Sequence, residues 1–190
     1  MEVINSFMTW IFKSRLGQID YFRHNPVQVQ EETFQSLIEA SRKTEFGKQF
    51  QFDRIKSYQD FSKLIPLFDY EAFKPYIEKT MTGKQNVIWP SEIEWFAKSS
   101  GTTSSRSKYI PVSEESLEEC HYKGGKDMVS LYVNNNPDTK LFTGKSLSVG
   151  GALEKEPLHP KGIARAGDVS AVIMQNLPIW AQFARTPSLE

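Results

Sequence analysis

Between Ile93 and Val112 two short apolar runs enclose a loop made almost wholly of small hydroxyl residues, and that pattern limits what the chain can build there. The flanks, Ile93-Glu94-Trp95-Phe96-Ala97 and Tyr109-Ile110-Pro111-Val112, are rich in β-branched and aromatic residues. Along an extended chain Glu94, Phe96 and Lys98 alternate in direction with Ile93, Trp95 and Ala97. The expectation is strand, polar loop, strand. The loop itself reads Ser99-Ser100-Gly101-Thr102-Thr103-Ser104-Ser105-Arg106-Ser107-Lys108, seven hydroxyl side chains around one glycine.

A loop of this kind offers an anion many small donors, and a glycine lets the backbone approach with its N–H groups turned inward. Its charge has one sign. From Trp95 to Ser113 there is no Asp or Glu, whereas Lys98, Arg106 and Lys108 are present in a chain of zero net charge. That local basic window suits phosphate. Composition alone is equally satisfied by a solvated hairpin loop or a flexible Ser/Gly connector. The order of the residues separates these readings.

Ser99-Ser100-Gly101-Thr102-Thr103 followed by Ser107-Lys108 resembles the phosphate-binding signature of the adenylate-forming, or acyl-activating, enzymes. Ser99 to Pro111, Thr143-Gly144-Lys145-Ser146-Leu147 and Gly167-Asp168-Val169-Ser170 together resemble the GH3 family of acyl acid amido synthetases, its bacterial branch most closely. The likeness runs along nearly all 190 residues but covers only the N-terminal portion of a family member. It departs at Ser105, where the plant pattern has a second glycine.

The resemblance implies an α/β fold, the start of an adenylate-forming large domain, and ATP with Mg²⁺ as cofactors. It implies that the backbone from Gly101 to Ser104 wraps the β- and γ-phosphates, that Ser99, Ser100, Thr102 and Thr103 donate hydroxyl hydrogen bonds to them, and that Lys108 supplies the catalytic point charge. Thr102 is the candidate to meet a phosphate-bound Mg²⁺. Arg106 reads as a solvated loop charge. The partners implied are a small-molecule carboxylic acid and an amino-acid acceptor. The family's adenine and ribose motifs, acidic Mg²⁺ ligand and mobile C-terminal domain lie downstream, so the expectation is a partial ligase, inactive alone.

Bulk properties exclude several classes. Apolar residues make up 39%, aromatics 13% and charged residues 24%, the profile of a folded domain rather than a disordered chain. Neutral net charge and a pI of about 6.9 argue against a general nucleic-acid binder. Cys120 is the single cysteine, which excludes a disulfide framework and points to a reducing, cytoplasmic location; it reads as a partly buried thiol on a helix. His24, His121 and His159 are too scattered for a zinc site, and no metal-binding residues stand out. The lipophilic stretch from Val3 to Phe12 is too short to span a bilayer and reads as a packing helix, with a peripheral membrane anchor as the alternative.

Residues 1–85 read as a helical N-terminal region and 86–190 as the start of an ATP-binding sheet region with flanking helices. Asn25-Pro26 opens a helix whose apolar face carries Val27, Phe34, Leu37, Ile38 and Ser41, with Gly47 as its stop. Ser57 caps a helix carrying Phe61, Leu64 and Ile65, and Asp69 caps another in which Pro75 introduces a kink or restart before Gly83. Asn86 to Trp89, Leu141 to Thr143, Ser146 to Val149 and Val169 to Met174 read as strands. Ser113-Glu114-Glu115 opens a helix toward Tyr132, weakened by Gly124-Gly125 unless those glycines admit a neighbouring segment. Gly144-Lys145-Ser146 is no P-loop, because the pattern needs glycine where Thr139 stands. Trp180 and Phe183 suit an acyl pocket or a core equally.

Two functional alternatives stay open at this level. One is a non-catalytic nucleotide- or partner-binding module of the same fold. The other is a thioester synthetase that passes the acyl group to coenzyme A or a protein thiol.

Overall fold

The computed structural model describes residues 2–99, 107–154, 164–178, 181–182 and 185–186. In chain order its elements are α1 (Glu2–Lys13), α2 (Leu16–His24), α3 (Pro26–Ser41), α4 (Glu45–Gln49), α5 (Tyr58–Leu64), α6 (Tyr70–Met81), β1 (Trp95–Lys98), β2 (Tyr109–Val112), a π-helix (Ser116–Tyr122), α7 (Lys123–Asn135), β3 (Ser146–Leu147), β4 (Arg165–Gly167), α8 (Val169–Gln175) and β5 (Arg185–Thr186). A short 3₁₀ turn, Phe52–Arg54, joins α4 to α5. The architecture is α/β, helix-rich with a small mixed sheet. The chain divides into two compact units, one of Met1–Pro26, Glu115–Gly150 and Ile173–Glu190, the other of Val27–Glu114 and Gly151–Val172.

The second unit carries the sheet and two apolar clusters. Its strand order is β2-β1-β4, with β1 antiparallel to β2 and parallel to β4. Pro111 pairs with Phe96 on the edge strand β2, where a missing N–H costs the ladder least. Phe96, 0% exposed, packs with Ile77, Ile93, Ala164 and Ala166. Under α3, Ile38, Phe52 and Ile55 form the other cluster. Phe46 joins it to a group of rings, with centroids 4.6 Å from Phe50, 5.1 Å from Tyr76 and 5.5 Å from Phe73.

Local signals explain most of these boundaries. Ser57 Oγ accepts from Asp60 N at 3.2 Å to open α5, and Asp69 Oδ1 accepts from Ala72 N at 2.8 Å to open α6. The Ser57 hydroxyl and Lys56 N–H donate to the Asp60 carboxylate and hold its pKa below the ordinary value. Glu45 is lowered in the same way by Lys79 and Lys84. Helix α6 runs through Pro75 without a break, since only the carbonyl of solvent-exposed Glu71 loses its partner. Gly83, at φ 86°, ends the turn after α6 in the left-handed region that glycine tolerates.

Gly47 does not stop α3. It lies buried inside α4, where a Cβ would collide with the Ser41 carbonyl, and Thr44 Oγ1 caps that helix by accepting from Gly47 N at 2.9 Å. Asn25 does not cap α3 either; its Nδ2 donates back to Tyr21 O at 3.0 Å. Asn86 to Trp89 bends rather than forming a strand, because Asn86 sits at φ 57° and the carbonyls of Asn86 and Val87 accept from the N–H groups of Glu45 and Phe46. Val169 to Met174 is the helix α8, not a strand; a short apolar run suits either element, and the Val172 N–H turns back to Asp168 O at 3.0 Å.

In the first unit α1 packs against α7. Phe12, buried, stacks on Phe142 with centroids 5.2 Å apart, and Arg15 Nε donates to Asp127 Oδ1 at 2.8 Å. Among the described residues no helix is long and apolar enough to cross a membrane. Leu141 to Thr143 forms a turn, and of the strand expected over Ser146 to Val149 only Ser146–Leu147 pairs, in parallel with β5. Ahead of α7 the chain adopts a π-helix, in which Leu117 and Tyr122 take the buried positions and Cys120 is exposed rather than partly buried. The Tyr122 hydroxyl donates to Asn176 O at 2.7 Å, and burial with the charge of Glu118 pushes its pKa up to about 12.

Gly124 and Gly125 open α7 with nothing within 4 Å of where a Cβ would stand, so they admit no neighbouring segment. Each therefore retains only the entropic cost of a helical glycine. Gly124→Ala and Gly125→Ala are each expected to stabilise the protein by about 0.5–1 kcal/mol. Urea unfolding checks this, and a midpoint that falls would mean that these positions do need their freedom.

Candidate functional site

The site grows from the carboxyl end of β1. Trp95 to Lys98 pairs on one side with Val112 to Tyr109 and on the other with Arg165 to Gly167, so the loop beginning at Ser99 leaves the sheet where two parallel strands end together. In open α/β sheets that is where ligands bind. Ser99 N donates to Lys108 O at 2.9 Å, and Lys108 N donates to Ser99 Oγ at 3.0 Å. These two bonds close the mouth of the hairpin. Because Ser99 Oγ accepts there, its own proton is left to donate elsewhere.

Lys108 is exposed and projects from this mouth, its Nζ 5.3 Å from the centroid of the Tyr70 ring. An aromatic face directs an ammonium without neutralising it. Among the described residues no carboxylate forms an ion pair with Lys108. The Tyr70 hydroxyl accepts from Tyr109 N at 2.8 Å and lies 3.4 Å from Tyr109 O, so α6 satisfies the outward edge of β2 at the residue next to Lys108.

A second lysine stands on the other side. Lys98, the last residue of β1, reaches Glu154 Oε1 at 2.5 Å and lies 5.9 Å from the Tyr109 ring centroid. The hydrogen bond from Lys98 to Glu154 raises the pKa of the ammonium, with further help from the negative charges nearby. Past β4, Asp168 Oδ2 accepts from Ala152 N at 3.3 Å and Ser170 Oγ accepts from Gly151 N at 2.8 Å. A Cβ on Gly151 would fall on the Asp168 side chain, so Gly151 serves a close approach.

Of the residues expected at the site, Ser99 and Lys108 lie together at the hairpin mouth, while Ser100, Gly101, Thr102, Thr103 and Ser104 lie outside the described residues, as do Ser105 and Arg106. Trp180 and Phe183 lie outside them as well. Gly167 ends β4 in the same sheet as β1, with Asp168 the next residue, whereas Thr143 to Leu147 belongs to the other unit. Among the described residues no group of three or more His, Cys, Asp or Glu side chains gathers as a metal site. Sequence reading missed Tyr70 and Glu154, and gave Lys98 no role beyond its place in the basic window. Only Lys98 carried a signal, as the basic residue directly before the loop; Tyr70 and Glu154 reach the mouth through contacts 39 and 56 residues long.

The described part is thus a helix-rich α/β protein whose small mixed sheet brings Ser99 and Lys108 together at the mouth of a hairpin. Residues 15–190 match the profile of the GH3 family N-terminal domain, and the chain belongs to the GH3 family. It is similar to the indole-3-acetic acid-amido synthetase GH3.2 of Arabidopsis thaliana, with 29% identity over 147 residues, 74% of this chain and 27% of that protein. It is also similar to the jasmonoyl-L-amino acid synthetase JAR4 of Nicotiana attenuata, with 26% identity covering 84% of this chain and 26% of that protein. The solved GH3.15 acyl acid amido synthetase shares the fold at a TM-score of 0.72 and 22% identity, over 86% of this chain and 29% of that one. The chain thus spans about a quarter of the length of these curated relatives.

Proposed function

We propose that this chain forms the phosphate-holding part of an ATP-dependent ligase that activates a carboxylic acid as its acyl adenylate for conjugation to an amino acid. The observation that carries the reading is the hairpin mouth, where Lys108 is aimed by Tyr70 and left unpaired with any described carboxylate beside the loop of seven hydroxyls. The donor set fits a polyphosphate: Ser99 retains a proton to donate, Lys108 offers a charge, and the residues from Ser100 to Ser104 add hydroxyl and backbone donors by sequence. ATP supplies an electrophilic phosphorus and a pyrophosphate leaving group. Mg²⁺ would arrive with the phosphates and take few protein ligands, with the Thr102 hydroxyl as the candidate to hold it. The chain's own task is to hold the phosphates still and offset their charge, which needs fixed donors more than a strong base.

Acid-dependent exchange of pyrophosphate into ATP by the native protein tests this reading. The acids to screen are indole-3-acetic acid, jasmonic acid and 4-substituted benzoates, named for the relatives, each followed by product analysis with amino acids and with coenzyme A. Exchange followed by an amide product supports the proposal. A thioester product would replace its acceptor, and neither ATP binding nor exchange with any acid would overturn it in favour of a non-catalytic module. A cytoplasmic location belongs to the same proposal.

A further inference from the structure

Lys98 and Glu154 come from segments that share no strand pairing. The register sets Phe96 against Ala166 and Ala97 against Gly167, which brings Lys98 level with Asp168. Beyond β4, Leu153 bridges Gly167 and Glu154 N donates to Ala166 O at 2.8 Å, so residues 152–154 flank β4 on its far side. The Lys98 and Glu154 side chains therefore meet over β4 and together bridge two strand spacings, about 10 Å. Gly167 permits the arrangement, because a Cβ there would stand 2.9 Å from the Ala152 carbonyl and 2.7 Å from the Leu153 side chain.

We propose that Lys98 and Glu154 form a charged clamp across the sheet that positions the mouth of the phosphate loop. Lys98 directly precedes Ser99, whose amide and hydroxyl make both hydrogen bonds of the mouth. Its ammonium also lies over the ring of Tyr109, the residue after Lys108. The clamp thus touches both stems of the hairpin from one side, while Tyr70 holds β2 through the Tyr109 backbone. With both side chains about one-third exposed, 35% and 31%, the pair adds little to global stability, as is usual for such pairs. Its consequence falls on geometry. Lys98 and Glu154 are positioning residues that act on the ligand through Ser99 and Lys108.

This inference rests on the nucleotide reading, so the test uses two readouts in the native protein, one of which needs no nucleotide. The variants are Lys98→Met, Glu154→Gln, the double variant and Lys98→Arg. The first readout is hydrogen exchange at the Ser99 and Lys108 amides; the second is the dissociation constant for ATP with Mg²⁺ by calorimetry. Each neutral single variant is expected to speed exchange at both amides up to about fivefold and to weaken ATP by a similar factor, the upper range for a partly exposed pair. The double variant is expected to lose no more than either single, the signature of two residues that act as one, and Lys98→Arg to keep most of the wild-type behaviour.

Unchanged exchange in all variants would overturn the clamp. So would a loss of ATP affinity in Lys98→Met with none in Glu154→Gln, since Lys98 would then be a direct phosphate ligand. Absence of ATP binding by every form, wild type included, would overturn the nucleotide reading instead, and the exchange data alone would decide the clamp.

Discussion

Lys108→Ala lowers acid-dependent pyrophosphate exchange in the native protein by about 100- to 1,000-fold, the loss that follows removal of one preorganised donor to developing charge, about 2.7–4 kcal/mol. The magnitude depends on the lysine being held in place before the nucleotide arrives. Tyr70 provides that: its ring lies 5.3 Å from Nζ, and its hydroxyl accepts from the backbone of the next residue. A lysine already neutralised by a carboxylate would have less to lose, which is the position of Lys98 beside Glu154. Stability should stay within about 0.5 kcal/mol, because Lys108 is exposed and surface substitutions of this kind cost little. Exchange within a few-fold of wild type would refute the role of Lys108. A fall in stability that matched the fall in exchange would refute it too.

The parts of the fold legible in the sequence are those that local chemistry dictates. The strands meet the loop close to where expected, β1 ending at Lys98, one residue past Ala97, and β2 beginning at Tyr109, because the change from alternating apolar residues to hydroxyls is abrupt. Ser57 and Asp69 cap their helices because a side-chain oxygen three residues ahead of an open N–H needs no tertiary help. The misreadings share a different cause. Residues 169–174 are apolar enough for a buried strand, yet they form a helix in which the Val172 N–H bonds back to Asp168 O. Gly47 punctuates the sequence like a stop, yet its lack of a side chain answers the nearby Ser41 carbonyl. The candidate site divides along the same line. Ser99 and Lys108 carry a motif, whereas Tyr70 and Glu154 matter through the register of three strands and the path of α6, which no window of neighbours contains.

Phe96→Ala is expected to have the largest effect on stability. The ring is 0% exposed and fills the cluster formed by Ile77 on α6, Ile93, and Ala164 and Ala166 at β4. Two of those neighbours are alanines, with no longer side chains to swing into the space, and Ala166 is tied to its sheet position by pairing with Phe96. The cavity would therefore persist, and the loss should fall at about 3–5 kcal/mol, the range for removing a buried ring. Against a typical total of about 5–15 kcal/mol, this removes a large share of the stability of the protein. Urea unfolding should show a lower midpoint with an unchanged slope, whereas a changed slope would place part of the effect in the unfolded state. The loop should respond as well. Phe96 lies two residues before Lys98, so the exchange of the Ser99 amide should rise more than in either clamp variant. A cost below about 1 kcal/mol would mean that the sheet closes over the gap, and Phe96 would then not be what holds β1 against α6.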